Sequence, residues 1–258
     1  MAKRFIDMAV SVQLPVVLDD LADELARLAG VVAVVIGGSR AMAEADEASD
    51  WDLGVYYRGE LELEPLARRG QVHPPGSWGR IMNGGAWLTV EGRRVDVLLR
   101  DLDVVAGWSA RAHAGELEVD MLLGYLAGIP TYSLLAEHAV AVVIRGELPP
   151  APAEFPPRLR AAAPPRWRFH RDFSLDHARS RARRGDVTGA VGLCARAAIE
   201  EAHARLCERG QWVLNEKRIL ERAGIGDIHS AFARAPSTAD DLVAWVTAVA
   251  GCLRAAAV

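Results

Sequence analysis

The chain has 258 residues, 25% of them charged and 51% hydrophobic, with a formal net charge of −4. This composition suits one large or two modest globular domains with a sizeable core. It excludes a broad basic field able to hold long nucleic acid, although local basic patches remain open. Cys194, Cys207 and Cys252 are too few and too scattered for a disulfide framework, and none stands in a Cys-x-x-Cys pair that would suggest zinc. Asp7 interrupts the early Lys3-Arg4, and no apolar run of signal-peptide length follows. The run Val31–Ile36 is too short to span a bilayer. The expectation is a soluble cytoplasmic protein without a membrane partner.

In chain order, Val17, Leu21, Leu25 and Leu28 recur at helical spacing and predict a helix from about Leu14 to Leu28, closed by Gly30. Val31-Val32-Ala33-Val34-Val35-Ile36 reads as a buried strand. Gly37-Gly38-Ser39 breaks it, and a short helix is expected to start near Ser39. A second strand spans Trp51 to Tyr57, with Trp51, Leu53 and Val55 on one face and Asp50, Asp52 and Gly54 on the other. A hairpin follows, Ala86–Val90 and Arg93–Leu99 about a Glu91-Gly92 turn, with Asp96 alternating against Val95 and Val97. Residues 101–146 read as mostly helical. Seven prolines between Leu148 and Pro165 predict a linker, after which the pattern is helical: a helix holding Phe169, Phe173, Asp176 and Ala178, then 187–208, 215–223 and 240–256.

Three features within about sixty residues carry chemistry: Gly37-Gly38-Ser39 directly after a buried strand, Ser49-Asp50-Trp51-Asp52-Leu53 beginning ten residues past Ser39, and Val95-Asp96-Val97 on a later strand. Residues two apart on a strand share a face, so Asp50 and Asp52 sit side by side and repel. A divalent cation makes that arrangement favourable, because hard oxygen ligands neutralise it. Asp96, from an adjacent strand, completes a three-carboxylate set suited to magnesium and phosphate chemistry. Gly37 and Gly38 let backbone approach a phosphate, the Ser39 hydroxyl adds a donor, and Arg40 is a charge partner. Each part taken singly reads as a turn or a solvent face; only the combination points to phosphate chemistry.

Gly38-Ser39, a short spacer and Asp50-Trp51-Asp52-Leu53 resemble the signature of the DNA polymerase β-like nucleotidyltransferase superfamily. The fit is closest to its minimal and aminoglycoside-modifying bacterial branches, over roughly residues 31–99. The resemblance implies that Asp50, Asp52 and Asp96 bind Mg2+ and that the Gly-Ser loop holds the triphosphate of ATP or another nucleoside triphosphate. Weaker likeness in Arg184-Gly185-Asp186 and Trp212-Val213-Leu214-Asn215-Glu216-Lys217 to the helical domain of aminoglycoside-type enzymes suggests Lys217 as a further phosphate contact; capping of a helix by Asn215 accounts for the same residues equally well. Many relatives have a glycine a few residues after the serine. Here the stretch is Arg40-Ala41-Met42-Ala43-Glu44, and Glu44, Asp46 and Glu47 add negative charge near the loop.

The implied fold is α+β: a mixed-sheet nucleotidyltransferase core (1–148), a Pro-rich linker (149–165) and an all-α helical bundle (166–258). The implied activity is transfer of a nucleoside monophosphate, AMP from ATP, to a hydroxyl of a small molecule such as an aminoglycoside-like antibiotic. Alternatives are a protein-modifying enzyme of antitoxin type, a kinase using the same ions, and a non-catalytic nucleotide- or partner-binding module. Long nucleic acid fits the charge poorly as an acceptor, and the oligomeric state is left open. For the general base, Glu200, Glu201 and His203 on the 187–208 helix are candidates. His113, Glu116, Glu118 and Asp120 read as a solvated face, Arg179, Arg181, Arg183 and Arg184 as a basic face, and Trp87, Trp108, Trp167 and Trp212 as core.

Overall fold

A computed structural model describes residues 13–42, 49–152, 154–236 and 238–255. The chain divides into two compact units, one of residues 1–111 with 130–154 and one of residues 112–129 with 155–258.

The first unit is organised by a sheet. Helix α1 (Val16–Ala26) begins after Pro15 and ends before Arg27, shorter at both ends than the spacing predicts. It leads into β1 (Val31–Ile36), the four-residue α2 (Gly38–Ala41) and β2 (Trp51–Tyr57). Then come α3 (Glu64–Ala67), β3 (Gly70–His73), α4 (Gly79–Met82), β4 (Gly84–Val90) and β5 (Arg93–Asp101). Helices α5 (Leu102–His113) and α6 (Ser133–Val140) and strand β8 (Val142–Gly146) complete the series; two-residue strands β6 (Val119–Asp120) and β7 (Ile129–Pro130) form a separate ribbon.

The main sheet runs β3-β4-β5-β2-β1-β8. Its neighbours are antiparallel except β2 and β5, which are parallel and therefore need the long crossover through α3, β3, α4 and β4. Alternation sends Val34, Ile36, Leu53, Val55, Val95, Val97 and Leu99 to one face, where they pack with Leu18, Leu21 and Leu25 of α1. Burying each such side chain contributes about 2 kcal/mol, which is what holds α1 against the sheet. The opposite face meets α6: buried Arg100 forms a two-pronged ion pair with Glu137 (2.5 and 3.0 Å), and Tyr56 lies 6.0 Å from the His138 ring.

The span 101–146, expected to be mostly helical, also supplies β8, an edge strand on β1. Its Arg145 bonds Asp19 (2.7 Å) and Asp23 (2.5 Å) of α1, placing a charged clasp at the exposed sheet edge. The expected linker 149–165 is helical from Pro157 onward, because α7 runs Pro157–Ala182 with Pro164 and Pro165 inside it. Each internal proline deletes one backbone hydrogen bond. Burial of Leu159, Ala163, Pro164 and Trp167 offsets that loss, and Pro157 at the start of the helix needs no partner.

The second unit is built on α7 and α8 (Val187–Glu208), followed by α9 (Ile219–Arg222), a 3-10 turn (Gly226–Ile228), α10 (His229–Phe232) and α11 (Ala239–Arg254). Asp186 caps α8 by accepting from the Gly189 N–H at 2.9 Å. Small residues Ala178, Ala182, Ala190, Cys194 and Ala197 let α7 and α8 pack closely beside Leu242, Val246, Val249 and Leu253 of α11. All three cysteines are free thiols, and Cys194 and Cys207 are buried. Among the described residues no helix is long and apolar enough to cross a membrane.

Candidate active site

The site grows from the end of β1. Gly37 continues the strand far enough for its N–H to donate to the Asp52 carbonyl at 2.9 Å. Gly38 then turns at φ +58°, where the chain leaves the sheet. A Cβ at Gly38 would lie 1.8 Å from Asp52 Oδ2 and 2.7 Å from its Cγ. Only glycine satisfies both the positive φ and the closeness of that carboxylate. Ser39 follows in α2, which has only four residues. The turn is therefore made by glycine backbone, without the accumulated dipole of a long helix.

Strand pairing does what spacing alone could not show. Asp52 and Asp96 are register partners on parallel β2 and β5, so their side chains leave the same face from strands about 4.8 Å apart. Asp50 lies just before β2 with the same parity. Its Oδ1 is 3.5 Å from Arg94 Nε, itself on β5 two residues before Asp96. Among the described residues no three His, Cys, Asp or Glu side chains are already gathered as a metal cage. Like charges repel until a cation neutralises them, and Asp50 turns to the nearby guanidinium instead.

Arg40 has a different place from the one expected. Its Nη2 donates to the Ser49 carbonyl (2.6 Å) and its Nε to the Asp50 carbonyl (3.2 Å), while the guanidinium lies 3.9 Å over the Trp51 ring. It clamps the loop that presents Asp50, so those donors are engaged by the protein and do not face a phosphate. The departure at Ala43, and the charges of Glu44, Asp46 and Glu47, lie outside the described residues. Lys217 belongs to the second unit, where its N–H donates to Asn215 Oδ1 at 2.9 Å in a local turn. Beside it the Glu216 carboxylate accepts from Leu126 N (2.7 Å) and Ala127 N (2.8 Å), tying the 112–129 segment to that unit.

The other candidates separate cleanly. Glu200, Glu201 and His203 are almost completely buried within the helical unit. Glu201 is held by Arg171 (2.6 Å) and Arg205 (2.9 Å); His203 stacks on Trp167 at 4.2 Å, and burial pushes its imidazole down to about 3. Burial raises the Glu200 carboxyl despite the Arg196 partner. Such groups suit a packed interior, not proton transfer from an acceptor in solvent. Arg179 and Arg181 pair with Asp176 (2.5 Å) and Asp186 (3.2 Å) on the surface. His113, Glu116, Glu118 and Asp120 fall at the end of α5 and around β6, not along one helix face.

The tryptophans do not form one core set. Trp167 is buried, Trp212 packs on Phe155 (4.9 Å) and Trp108 sits under Arg111 (4.1 Å) and Arg80 (5.7 Å). Trp87 is 49% exposed and faces Asp96 across the β4–β5 ladder. Sequence reasoning missed it because a tryptophan on an alternating strand reads the same whichever face is open.

The geometry is a glycine turn against one carboxylate, with a second carboxylate in register beside it on a mixed sheet. Residues 18–106 match the family model described as "Nucleotidyltransferase domain", which spans Gly38, Ser39 and all three aspartates. Residues 18–106 are thus similar to a nucleotidyltransferase domain. The crystal structure of a nucleotidyltransferase-like protein from Exiguobacterium sibiricum 255-15 aligns over 92% of this chain and 73% of that one, with 13% identity and a TM-score of 0.43. No curated protein matches the sequence.

Proposed function

We propose that the protein transfers AMP from magnesium-bound ATP to a hydroxyl of a small polyhydroxylated acceptor, of which an aminoglycoside-like molecule is one example. The observation that supports this reading best is the register of Asp52 with Asp96 beside a glycine whose missing Cβ leaves room for the Asp52 carboxylate. The donor set suits a hard cation: Asp52 and Asp96 in register on one sheet face, with Asp50 just before β2, close to backbone that can approach phosphate. Bound there, Mg2+ would neutralise phosphate charge. Asp50, Asp52 and Asp96 would hold it, and Gly37, Gly38 and Ser39 would receive the β- and γ-phosphates. Asp96 would orient the acceptor hydroxyl and accept its proton. The new bond joins that oxygen to the α-phosphorus, the bond from the α-phosphorus to the bridging oxygen breaks, and pyrophosphate leaves. The acidic net charge suits a cationic acceptor.

The test is incubation of the full chain with α-labelled ATP, Mg2+ and a panel of polyols, sugars and aminoglycosides. Labelled acceptor with pyrophosphate supports the reading; ADP identifies a kinase; binding without either product identifies a module that has lost turnover.

A further inference from the structure

A single row of side chains crosses one face of the sheet. It starts at the Gly37–Gly38 turn, which bonds the Asp52 backbone, passes through Asp52 on β2 and Asp96 on β5, and reaches Trp87 on β4 and Gln71 on β3. Residues directly opposite on paired strands project to the same side. The phosphate cradle and Trp87 therefore lie at opposite ends of the carboxylate pair. With neighbouring strands about 4.8 Å apart, Asp52 and Trp87 are separated by about 10 Å along the sheet. That span accommodates one six-membered ring beside an α-phosphate.

Trp87 is also built as a surface. Trp78 stacks beside it at 5.5 Å and 29°, and the His73 ring meets it edge-on at 4.4 Å. Gly85 makes this possible, because a Cβ there would come within 2.5 Å of the Trp78 ring. His73 Nε2 is buried without a hydrogen-bond partner among the described residues, so the imidazole serves here as packing. Two rings thus fix Trp87 while about half of it, 49%, stays open. A large exposed indole held rigid loses little entropy when a ligand lies on it.

In-line displacement requires the attacking oxygen to approach opposite the departing pyrophosphate. With the cradle at Gly38, the acceptor comes from the Trp87 side. The geometry points to Trp87 as the residue that binds the acceptor, by stacking on the face of a ring that carries the reacting hydroxyl. This inference rests on the nucleotidyl-transfer reading and narrows its acceptor to ring-bearing alcohols, whether a sugar ring or an aromatic one. Open-chain polyols lack the flat face and bind poorly.

The experiment has two arms on the full chain. In the first, pyrophosphate release is measured with kanamycin, methyl α-D-glucopyranoside and phenyl β-D-glucopyranoside, with sorbitol as the open-chain control. Trp87→Ala is expected to raise the ring acceptor's KM at least about tenfold, or ~1.4 kcal/mol, with kcat and the KM for ATP within about twofold. Trp87→Phe restores most of the affinity. An unchanged acceptor KM, or a KM for ATP that rises in its place, overturns the inference. In the second arm, protein labelled with 5-fluorotryptophan is titrated with the same compounds without turnover, the Trp87 signal being the one lost in Trp87→Phe. A shift with a ring compound but not with sorbitol is expected; an unmoved Trp87 signal with all ring compounds overturns the inference. Pyrophosphate release that requires Asp52 but ignores Trp87 sinks the acceptor assignment alone. A Trp87 response without any release sinks the nucleotidyl-transfer reading alone.

Discussion

Gly38→Ala is the sharpest perturbation because two separate costs fall on one atom. The backbone at φ +58° disfavours any side chain, at about 1–2 kcal/mol. The new methyl would also stand 1.8 Å from Asp52 Oδ2. Restoring ordinary contact moves the carboxylate by about 1.5 Å, and a misplacement of about 1 Å at a reacting centre costs roughly 100-fold in rate. The expected result is a Tm lowered by several degrees and a kcat lowered at least about 100-fold. Gly59→Ala separates the two costs: its φ is +69°, yet nothing lies within 4 Å of the added Cβ. That variant should lose about 1 kcal/mol of stability with unchanged turnover. The assays are thermal unfolding and pyrophosphate release. Gly38→Ala with wild-type turnover would refute the idea that the Gly38–Asp52 contact positions the reacting phosphate.

Arg40→Ala is expected to lower kcat and cost about 1–2 kcal/mol of stability, with the KM for ATP nearly unchanged, because its guanidinium holds Ser49 and Asp50 carbonyls; a large rise in that KM would make it a phosphate ligand. His203 supplies a pH test. Its folded pKa of about 3 lies below the usual histidine value of 6.5, so the unfolded chain takes up the proton first. Its full stability is present above pH 6.5 and is lost as pH falls toward 3, about 2 kcal/mol by pH 5. His203→Phe, which keeps the ring on Trp167, should flatten that part of the stability profile measured by urea unfolding; an equally steep profile would count against the buried neutral imidazole.

Periodicity read the interior elements well. The β-branched run of β1, the alternation of β2, the Glu91-Gly92 hairpin and the full length of α8 are strong local patterns that tertiary packing reinforces. It read the edges and borders poorly. β3 and β8 have four and five residues and owe their place to a neighbouring strand. The prolines of α7 break the local rule, and buried Leu159, Pro164 and Trp167 overrule it. At the site, residue types pointed to Gly38, Asp50, Asp52 and Asp96 before any coordinates. Their mutual placement did not follow from spacing, because the register of β2 on β5 is set across a crossover of several elements. Nor did the engaged state of Arg40, which depends on where the Ser49 and Asp50 carbonyls turn.

Cation binding tests the Asp52–Asp96 pair most directly. Mn2+ can replace Mg2+ and be counted by electron paramagnetic resonance in the presence of a nonhydrolysable ATP analogue. Wild-type protein should bind it tightly, and Asp52→Asn and Asp96→Asn should each weaken binding at least about tenfold, ~1.4 kcal/mol, while folding is preserved or improved by relief of like-charge repulsion. Undiminished Mn2+ affinity in both variants would contradict the assignment.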